Sequence, residues 1–282
     1  MNYESIFMQN SKFHWDFHKT VQANKNWERA SSTFENWASS NRNRDTAKSS
    51  LKVPKIFHQI WLGSKPLPDC YEEFKESWLQ RHPDYEYRLW DDKTAKALTL
   101  INQRIFDGLS NPGAKSDILR YEILYMYGGI YIDTDFECVR RIPERILEKE
   151  FAGCIQFAEH PQIGNAILFS SKHSEVMARV INSCSMPIDN DVASIVNCTG
   201  PNMLSSTIFR YKDLDNEGIL LLPSDYCYPW PSFLRDTSWK PNTFITSASF
   251  GIHHWHTNWI RRPSLGFRML SKLRHWCKRI FK

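Results

Sequence analysis

From Val53 to Leu62 the chain reads VPKIFHQIWL, a short apolar run closed by Gly63, and this pattern predicts a buried strand. The next stretch, CYEEFKESWLQRHP, carries Tyr71, Phe74 and Trp78 at helical spacing and stops at Pro83. YEYRLWDD, residues 85–92, predicts a second strand, after which Leu98, Ile101, Ile105 and Leu109 fall on one face of a predicted helix. Strand, helix, strand, helix predicts an α/β domain with a mainly parallel central sheet. In AKSDILRYEILYMYGG, Ser116 is the expected N-cap and Gly128-Gly129 the expected stop. Asp117, Arg120, Tyr121 and Leu124 share one face of that helix. The chain then enters IYIDTDFE directly, so a charged helix start and an acidic strand end belong to one unit.

The flanks read differently. Residues 1–50 are polar, with scattered aromatics (Trp15, Trp27, Phe34 and Trp37 among them) and neither glycine nor proline. They predict a helical N-terminal extension ending in the linker-like SSNRNRDTAKSS. At the other end, SLGFRMLSKLRHWCKRIFK places Phe267, Leu270, Leu273, Cys277 and Ile280-Phe281 near one helix face, with cations around the rest. That is the pattern of an interfacial helix on an anionic membrane. A terminal helix packed on the body, with its basic face solvated, is the other reading. The expected organisation is an extension over 1–50, a catalytic domain over 51–260 and a basic amphipathic helix over 261–282.

Charge sharpens this division. The net charge is +5, yet residues 261–282 hold eight cations and no acid; subtracting eight leaves residues 1–260 at −3. A mildly acidic body with a basic tail speaks against a nucleic-acid footprint. Seven cysteines, odd in number, scattered and without CxxC, argue against a disulfide framework or zinc ribbon and for a reducing cytosol. No apolar run approaches the roughly 20 residues that span a bilayer, and the start of the chain lacks the basic-then-apolar pattern of a secretory signal. The expected location is cytoplasmic, peripheral on the inner membrane face.

Candidate chemistry centres on GGIYIDTDFEC, residues 128–138. In an extended chain Tyr131, Asp133, Asp135 and Glu137 point to one face, and like charges so close repel. The preceding strand is apolar on both faces, so unpaired carboxylates at its end would cost several kcal/mol unless a cation neutralises them. A hard divalent ion, Mn²⁺ or Mg²⁺, bridging to substrate phosphates is the usual solution. A solvated strand end is the plain alternative. A haloacid-dehalogenase-type phosphatase fits less well, because Glu137 stands where Thr or Val is expected and the strand is mid-chain. A glycosidase pair fits less well again, because residues at i and i+2 do not readily flank a sugar. Ligands of open α/β sheets lie beyond the carboxyl ends of the strands, where Asp133 and Asp135 stand.

VPKIFHQIWLG, YEYRLWDD, AKSDILRYEILYMYGGIYIDTD, TGPNML and GIHHWHTNW occur in the order found in DxD-motif glycosyltransferases of family 32, and the chain resembles them from about Val53 to Trp259. The same core is similar to the glucosyltransferase domain of the large clostridial toxins. The resemblance implies a GT-A-like fold, a nucleotide-sugar donor with UDP-sugars favoured, a divalent metal and retention of anomeric configuration. It implies that Trp61 stacks on the donor base and that Asp117 and Arg120, with Ser116 beside them, contact ribose and sugar. Tyr131 and Asp133 match further donor-pocket residues, and Asp135 matches the direct metal ligand. His254 falls where the C-terminal segment reaches back toward metal and diphosphate. Trp259 falls where an indole contacts the leaving phosphate, with Asn258 where the family usually has Ser. Asp133, Asp135, Arg120 and Trp259 form the implied catalytic set, with Asp133, Asp135 and His254 around the metal. The implied mechanism is front-face attack by the acceptor hydroxyl, the leaving phosphate taking its proton.

Other residues have plainer readings. His58 reads as a satisfied core histidine, Asp91 and Asp92 as base contacts or helix caps, and Asn165 and Asn202 as acceptor contacts or loop hydrogen bonds. His253 and His256 stand as alternatives beside His254. The expected activity is hexose or N-acetylhexosamine transfer to a glycan or lipid-linked glycan, in bacterial lipopolysaccharide or capsule synthesis. An effector that glycosylates a host protein, and a catalytically silent glycan- or nucleotide-binding module, are the alternatives.

Overall fold

The computed structural model describes residues 21–40, 50–156, 161–189, 191–235, 238 and 240–256. The first half of the chain alternates as expected: α1 (Val21–Ser39), β1 (Ile56–Ile60), α2 (Tyr71–Arg81), β2 (Glu86–Trp90), α3 (Asp92–Lys96), α4 (Gln103–Gly108), α5 (Pro112–Tyr127) and β3 (Gly129–Ile132). The second half contributes β4 (Phe136–Cys138), β5 (Phe151–Gln156), β6 (Gln162–Ser170), α6 (Glu175–Ser183), α7 (Val192–Cys198), α8 (Pro201–Ile208), β7 (Ile219–Leu222), α9 (Ser224–Cys227) and β8 (Gly251–His253).

Six strands form one sheet in the order β2-β1-β3-β6-β5-β7, and β4 pairs with β8 in a second, two-stranded sheet. In the large sheet only β6 runs against its neighbours; β1–β2, β1–β3 and β5–β7 are parallel. The residues explain this: β7 is Ile219-Leu220-Leu221-Leu222, all buried, and parallel strands covered on both faces need such unbroken apolar runs. The mainly parallel α/β sheet expected from the sequence is therefore present.

Helix α1 lies within the segment expected as an extension, and it packs on β7. Trp27, Ala30, Phe34 and Trp37 join the same hydrophobic core as the sheet. Strand β7 is an edge, and the Thr33 hydroxyl accepts its Leu221 N–H at 3.0 Å while donating to Ala30 O at 2.9 Å. An edge amide that would otherwise be buried unpaired is thus satisfied by a helix side chain.

Three local expectations are corrected. The helix expected through Leu98, Ile101, Ile105 and Leu109 is instead two short helices, α3 and α4. The Glu122 carboxylate, reaching from α5, accepts Ile101 N at 3.0 Å and Asn102 N at 2.8 Å. That supplies partners for amides at the start of α4 and stabilises the break. Helix α5 begins four residues before the expected cap Ser116: Asn111 is the N-cap, accepting Gly113 N and Ala114 N, with Pro112 at the first helical position. Ser116 sits inside the helix and donates to Pro112 O at 2.8 Å. Finally, Cys154 of β5 and Cys227 of α9 form a disulfide where unpaired cysteines were expected, across 73 residues that give no local signal.

Candidate active site

The site grows from the junction of α5 and β3. Gly128 caps α5 at φ 66°, and Gly129 opens β3 at φ 106°, a backbone that L side chains rarely adopt. A Cβ on Gly129 would lie 2.7 Å from Ile56 O and 2.9 Å from His58 Nε2, so β3 lies against β1 only because that residue is glycine. This close approach sets where the far end of β3 emerges. There Asp133 N donates to Ala166 O at 2.8 Å and the strand stops.

On α5, about two turns before the glycines, Arg120 is buried among carboxylates. Its guanidinium lies 3.1 Å from Asp117 and 3.2 Å from Asp133, donates to Asn165 O at 2.6 Å, and sits 4.4 Å over the Tyr131 ring. Asp117 also accepts from Asn165 Nδ2 at 2.8 Å and from the Thr199 hydroxyl at 3.1 Å, while the Tyr121 hydroxyl fixes Thr199 through its carbonyl at 3.0 Å. Burial pushes the Asp117 carboxyl up to about 6, against the pull of Arg120 and of these donors. Burial and the neighbouring Asp135 likewise raise Asp133, opposed by Arg120. A single cation thus serves two carboxylates, and both retain acceptor capacity. Tyr131 donates to Asp133 at 2.5 Å, holding that carboxylate toward the helix.

Beyond Asp133 the chain does not stay extended. Phe136 N donates back to Asp133 O at 3.2 Å, so DTD forms a turn and the expectation of three carboxylates on one strand face is corrected. Asp133 and Asp135 converge on His253, and one ligand atom from each of the three lies within 4.8 Å of the others. His253 Nε2 is 3.2 Å from Asp135 Oδ1 and 3.8 Å from Asp133 Oδ2. Glu137 turns away and accepts from His254, whose ring stacks on Phe74 at 4.5 Å. The pairing of β4 with β8 decides this: Phe136 lies opposite His253, and the next residue faces the other way.

The C-terminal segment closes over the turn. His254 N donates to Asp135 O at 3.0 Å, and His256 N donates to the Asp135 carboxylate at 2.6 Å. Trp255 between them takes φ 58°, an unusual left-handed backbone, and its indole donates to Trp230 O at 2.8 Å. Burial alone would favour protonated Asp135, but His253 and the His256 amide hold it below its usual value. Burial likewise opposes the His253 cation, yet Asp135 and Asp133 raise it overall.

Two carboxylates and one imidazole fit a divalent cation. Carboxylate oxygens suit Mg²⁺ and Mn²⁺, and an imidazole completes a mixed N/O set. Among the described residues His253 Nδ1 is buried without a hydrogen-bond partner, and the carboxylates are the ring's chief attraction.

Of the other expected residues, Trp61 lies just past the carboxyl end of β1, half-buried, its indole donating to Lys65 O at 2.7 Å. Ser116 accepts Arg120 Nε through its carbonyl at 3.2 Å. Asp91 caps α3 through a capping box with Thr94, and Asp92 accepts Gly63 N at 2.8 Å, so both take the capping and loop-fixing role. His58 is held in the core by Gly128 O at 2.8 Å and Trp90 Nε1 at 3.2 Å. Asn258, Trp259 and the basic stretch 261–282 lie outside the described residues. Thr199 and Gln59, which donates to Asp133 O at 3.2 Å, were missed as site residues; for Thr199 the signal was the TGPNML motif.

A mostly parallel sheet, with a carboxylate pair in the turn at its carboxyl edge and an arginine reaching that turn from the preceding helix, defines a GT-A-type glycosyltransferase fold. Residues 68–152 match the model of the glycosyltransferase sugar-binding region containing the DXD motif. It is 27% identical over 214 residues to inositol phosphoceramide mannosyltransferase 2 of Schizosaccharomyces pombe, covering 73% of this chain and 59% of that protein. It is 34% identical over 217 residues to a mannosyl phosphorylinositol ceramide synthase of Saccharomyces cerevisiae, covering 70% of this chain and 54% of that protein. The chain therefore spans little more than half the length of these relatives. The catalytic domain of the alpha-toxin of Clostridium novyi shares the fold, with a TM-score of 0.52, 13% identity, and coverage of 96% of this chain and 91% of that one.

Proposed function

We propose that this chain is a metal-dependent glycosyltransferase that moves a hexose from a nucleotide sugar to a hydroxyl of a glycan or lipid-linked glycan, with retention of configuration. The observation that carries this reading is the convergence of Asp133, Asp135 and His253 beside the buried Asp117–Arg120 pair. The first group would hold a divalent ion, Mn²⁺ by preference, and the second the sugar hydroxyls.

When bound, such an ion acts as a Lewis acid on the diphosphate, where negative charge builds as the sugar leaves. The chain's own groups do the rest. Arg120 keeps its fork fixed between Asp117 and Asp133, so their free lone pairs are preorganised acceptors for sugar hydroxyls. The turn at Asp133–Asp135 and the folded-back His256 amide keep the two carboxylates convergent against their mutual repulsion. Trp61, beyond β1, would stack on the base.

The yeast relatives are named for mannosyl transfer to inositol phosphoceramide, so a mannosyl donor joins the UDP-sugars favoured by the sequence. They lend nothing to the bacterial lipopolysaccharide setting. The cations of 264–282 are proposed to hold the enzyme on an anionic membrane surface, at about 1 kcal/mol per cation.

The test is hydrolysis of UDP-sugars and GDP-mannose by the purified chain, with Mn²⁺ and with EDTA, for wild type and Asp135→Ala. Metal-dependent turnover of one donor, reduced about 10²–10³-fold by the substitution, is expected. A wild-type protein that neither binds nor hydrolyses any donor in the presence of metal is instead a silent module.

A further inference from the structure

Strand β6 pairs with β3 only as far as Ile167 opposite Ile132, so residues 162–166 run on past the end of β3 and overhang the carboxylate turn. A row of carboxamides occupies this overhang. Gln156 of β5 stands opposite Gln162 in register and donates to it. Gln162 donates in turn to Asn202, and Asn202 to Asn197 at 2.8 Å. The first three are half-buried and Asn197 is exposed.

This row continues the wall that holds Asp117. Asn202 lies in the first turn of α8, immediately after Thr199, which donates to Asp117, and Gly200. A Cβ on Gly200 would come within 2.9 Å of Val196 Cα and 3.4 Å of Asp117 Oδ2, so the backbone here is pressed against the donor-side carboxylate. From Asp117 the wall runs through Thr199 and Gly200 to Asn202, Gln162 and Gln156, and its chemistry changes along the way. Arg120, Asp117, Asp133 and Asp135 are charged; the four amides are not.

Each carboxamide has two N–H donors and an oxygen with two lone pairs, and the three bonds along the row use a minority of both. What remains is a neutral surface able to donate and accept in several directions. That matches the vicinal hydroxyls of a sugar or cyclitol ring, each both donor and acceptor. It does not match a phosphate or carboxylate, which would find no cation in the row.

We infer that Gln156, Gln162, Asn202 and Asn197 form the acceptor subsite, and that its ligand is a neutral polyhydroxylated ring. The inference rests on the transferase reading above. The row then orients the acceptor ring so that one hydroxyl faces the donor sugar held at Asp117 and Asp133.

The experiment uses the full chain with Mn²⁺ and methyl α-mannoside, methyl β-galactoside and myo-inositol as acceptors, for wild type, Gln162→Leu and Asn202→Ala. Loss of neutral hydrogen bonds is expected to raise acceptor KM about tenfold in either variant, with donor KM shifted less than twofold. Equal changes in donor and acceptor KM would move the row into the donor pocket and overturn the inference. So would a wild-type enzyme that hydrolyses donor but glycosylates none of the three. Saturation-transfer NMR on the same three compounds reads contact without turnover, and so separates this inference from the transferase reading. A signal that falls in Gln162→Leu supports the subsite even if no donor is consumed; equal signals in both proteins refute it. If Gln162→Leu melts early, Asn202→Ala carries the same measurements.

Discussion

The two ends of β3 make opposite use of a buried histidine. At its amino end His58 lies on the neighbouring strand among aromatic rings, with Trp90 and Tyr127 at 6.1 and 6.3 Å, and both ring nitrogens are bonded to neutral groups. At the carboxyl end His253 faces Asp133 and Asp135, and its Nδ1 has no partner among the described residues. Burial acts on both rings in the same sense, disfavouring the cation, yet His58 falls to about 4 while His253 rises. The difference lies in the neighbours. A ring whose hydrogen bonds are complete with neutral partners belongs to the core; one whose partners are carboxylates, with a nitrogen left over, belongs to chemistry.

The largest expected effect breaks the charged end. Arg120 is the buried cation between Asp117 and Asp133, with 6% of its side chain exposed. Arg120→Met leaves both carboxylates without it and is expected to cost about 3–5 kcal/mol of stability, read by urea denaturation, with donor turnover lost. Adding Asp117→Asn should restore part of the stability and none of the turnover. A loss below about 1 kcal/mol would mean that solvent, rather than Arg120, neutralises the pair.

Next comes a pH test that separates the two ends by sign. His58 has a folded value near 4 against about 6.5 unfolded, so the unfolded chain takes up the proton first. Stability is present above pH 6.5 and is lost as pH falls toward 4, by at most about 3 kcal/mol. His253 is raised, so its contribution is full below 6.5 and is lost as pH rises through its folded value. In EDTA, His58→Phe should flatten the acid side of the stability profile and leave the alkaline side unchanged. Flattening on the alkaline side instead would refute this assignment.

Legibility in the sequence followed the range of the interactions. The boundaries of β1, α2 and β2 and the start of β3 came through within a few residues, because local apolar spacing and nearby glycine or proline residues fix them. The Asp117, Arg120, Tyr131 and Asp133 constellation was also readable, since helix and strand periodicity together put these side chains on facing surfaces. The break between α3 and α4 was not, because Glu122 makes it from about twenty residues away. The cap at Asn111 was available in Asn-Pro, an N-cap followed by a first-turn proline, but Ser116 stood nearer the charged residues. Whether His253 or His254 meets the carboxylates depends on the register of β4 with β8, which a pair of adjacent histidines cannot encode locally.

The smallest expected effect concerns the connection between the two ends. Gln59 follows His58 on β1 and points to the opposite face; its amide donates to Asp133 O, while its carbonyl accepts from Tyr87 at 2.7 Å, which in turn meets the Tyr71 hydroxyl at 2.6 Å. This chain ties the turn at Asp133 to β2 and α2 through neutral groups alone. Tyr87→Phe removes the middle hydroxyl without disturbing volume, leaving Gln59 and Tyr71 each one partner short. The expected cost is about 1 kcal/mol in thermal or urea unfolding, with donor KM raised less than threefold, because Asp133 keeps Arg120 and Tyr131. A tenfold loss of turnover from this substitution would show that the neutral side of the sheet, and not the arginine alone, holds the carboxylates in their working arrangement.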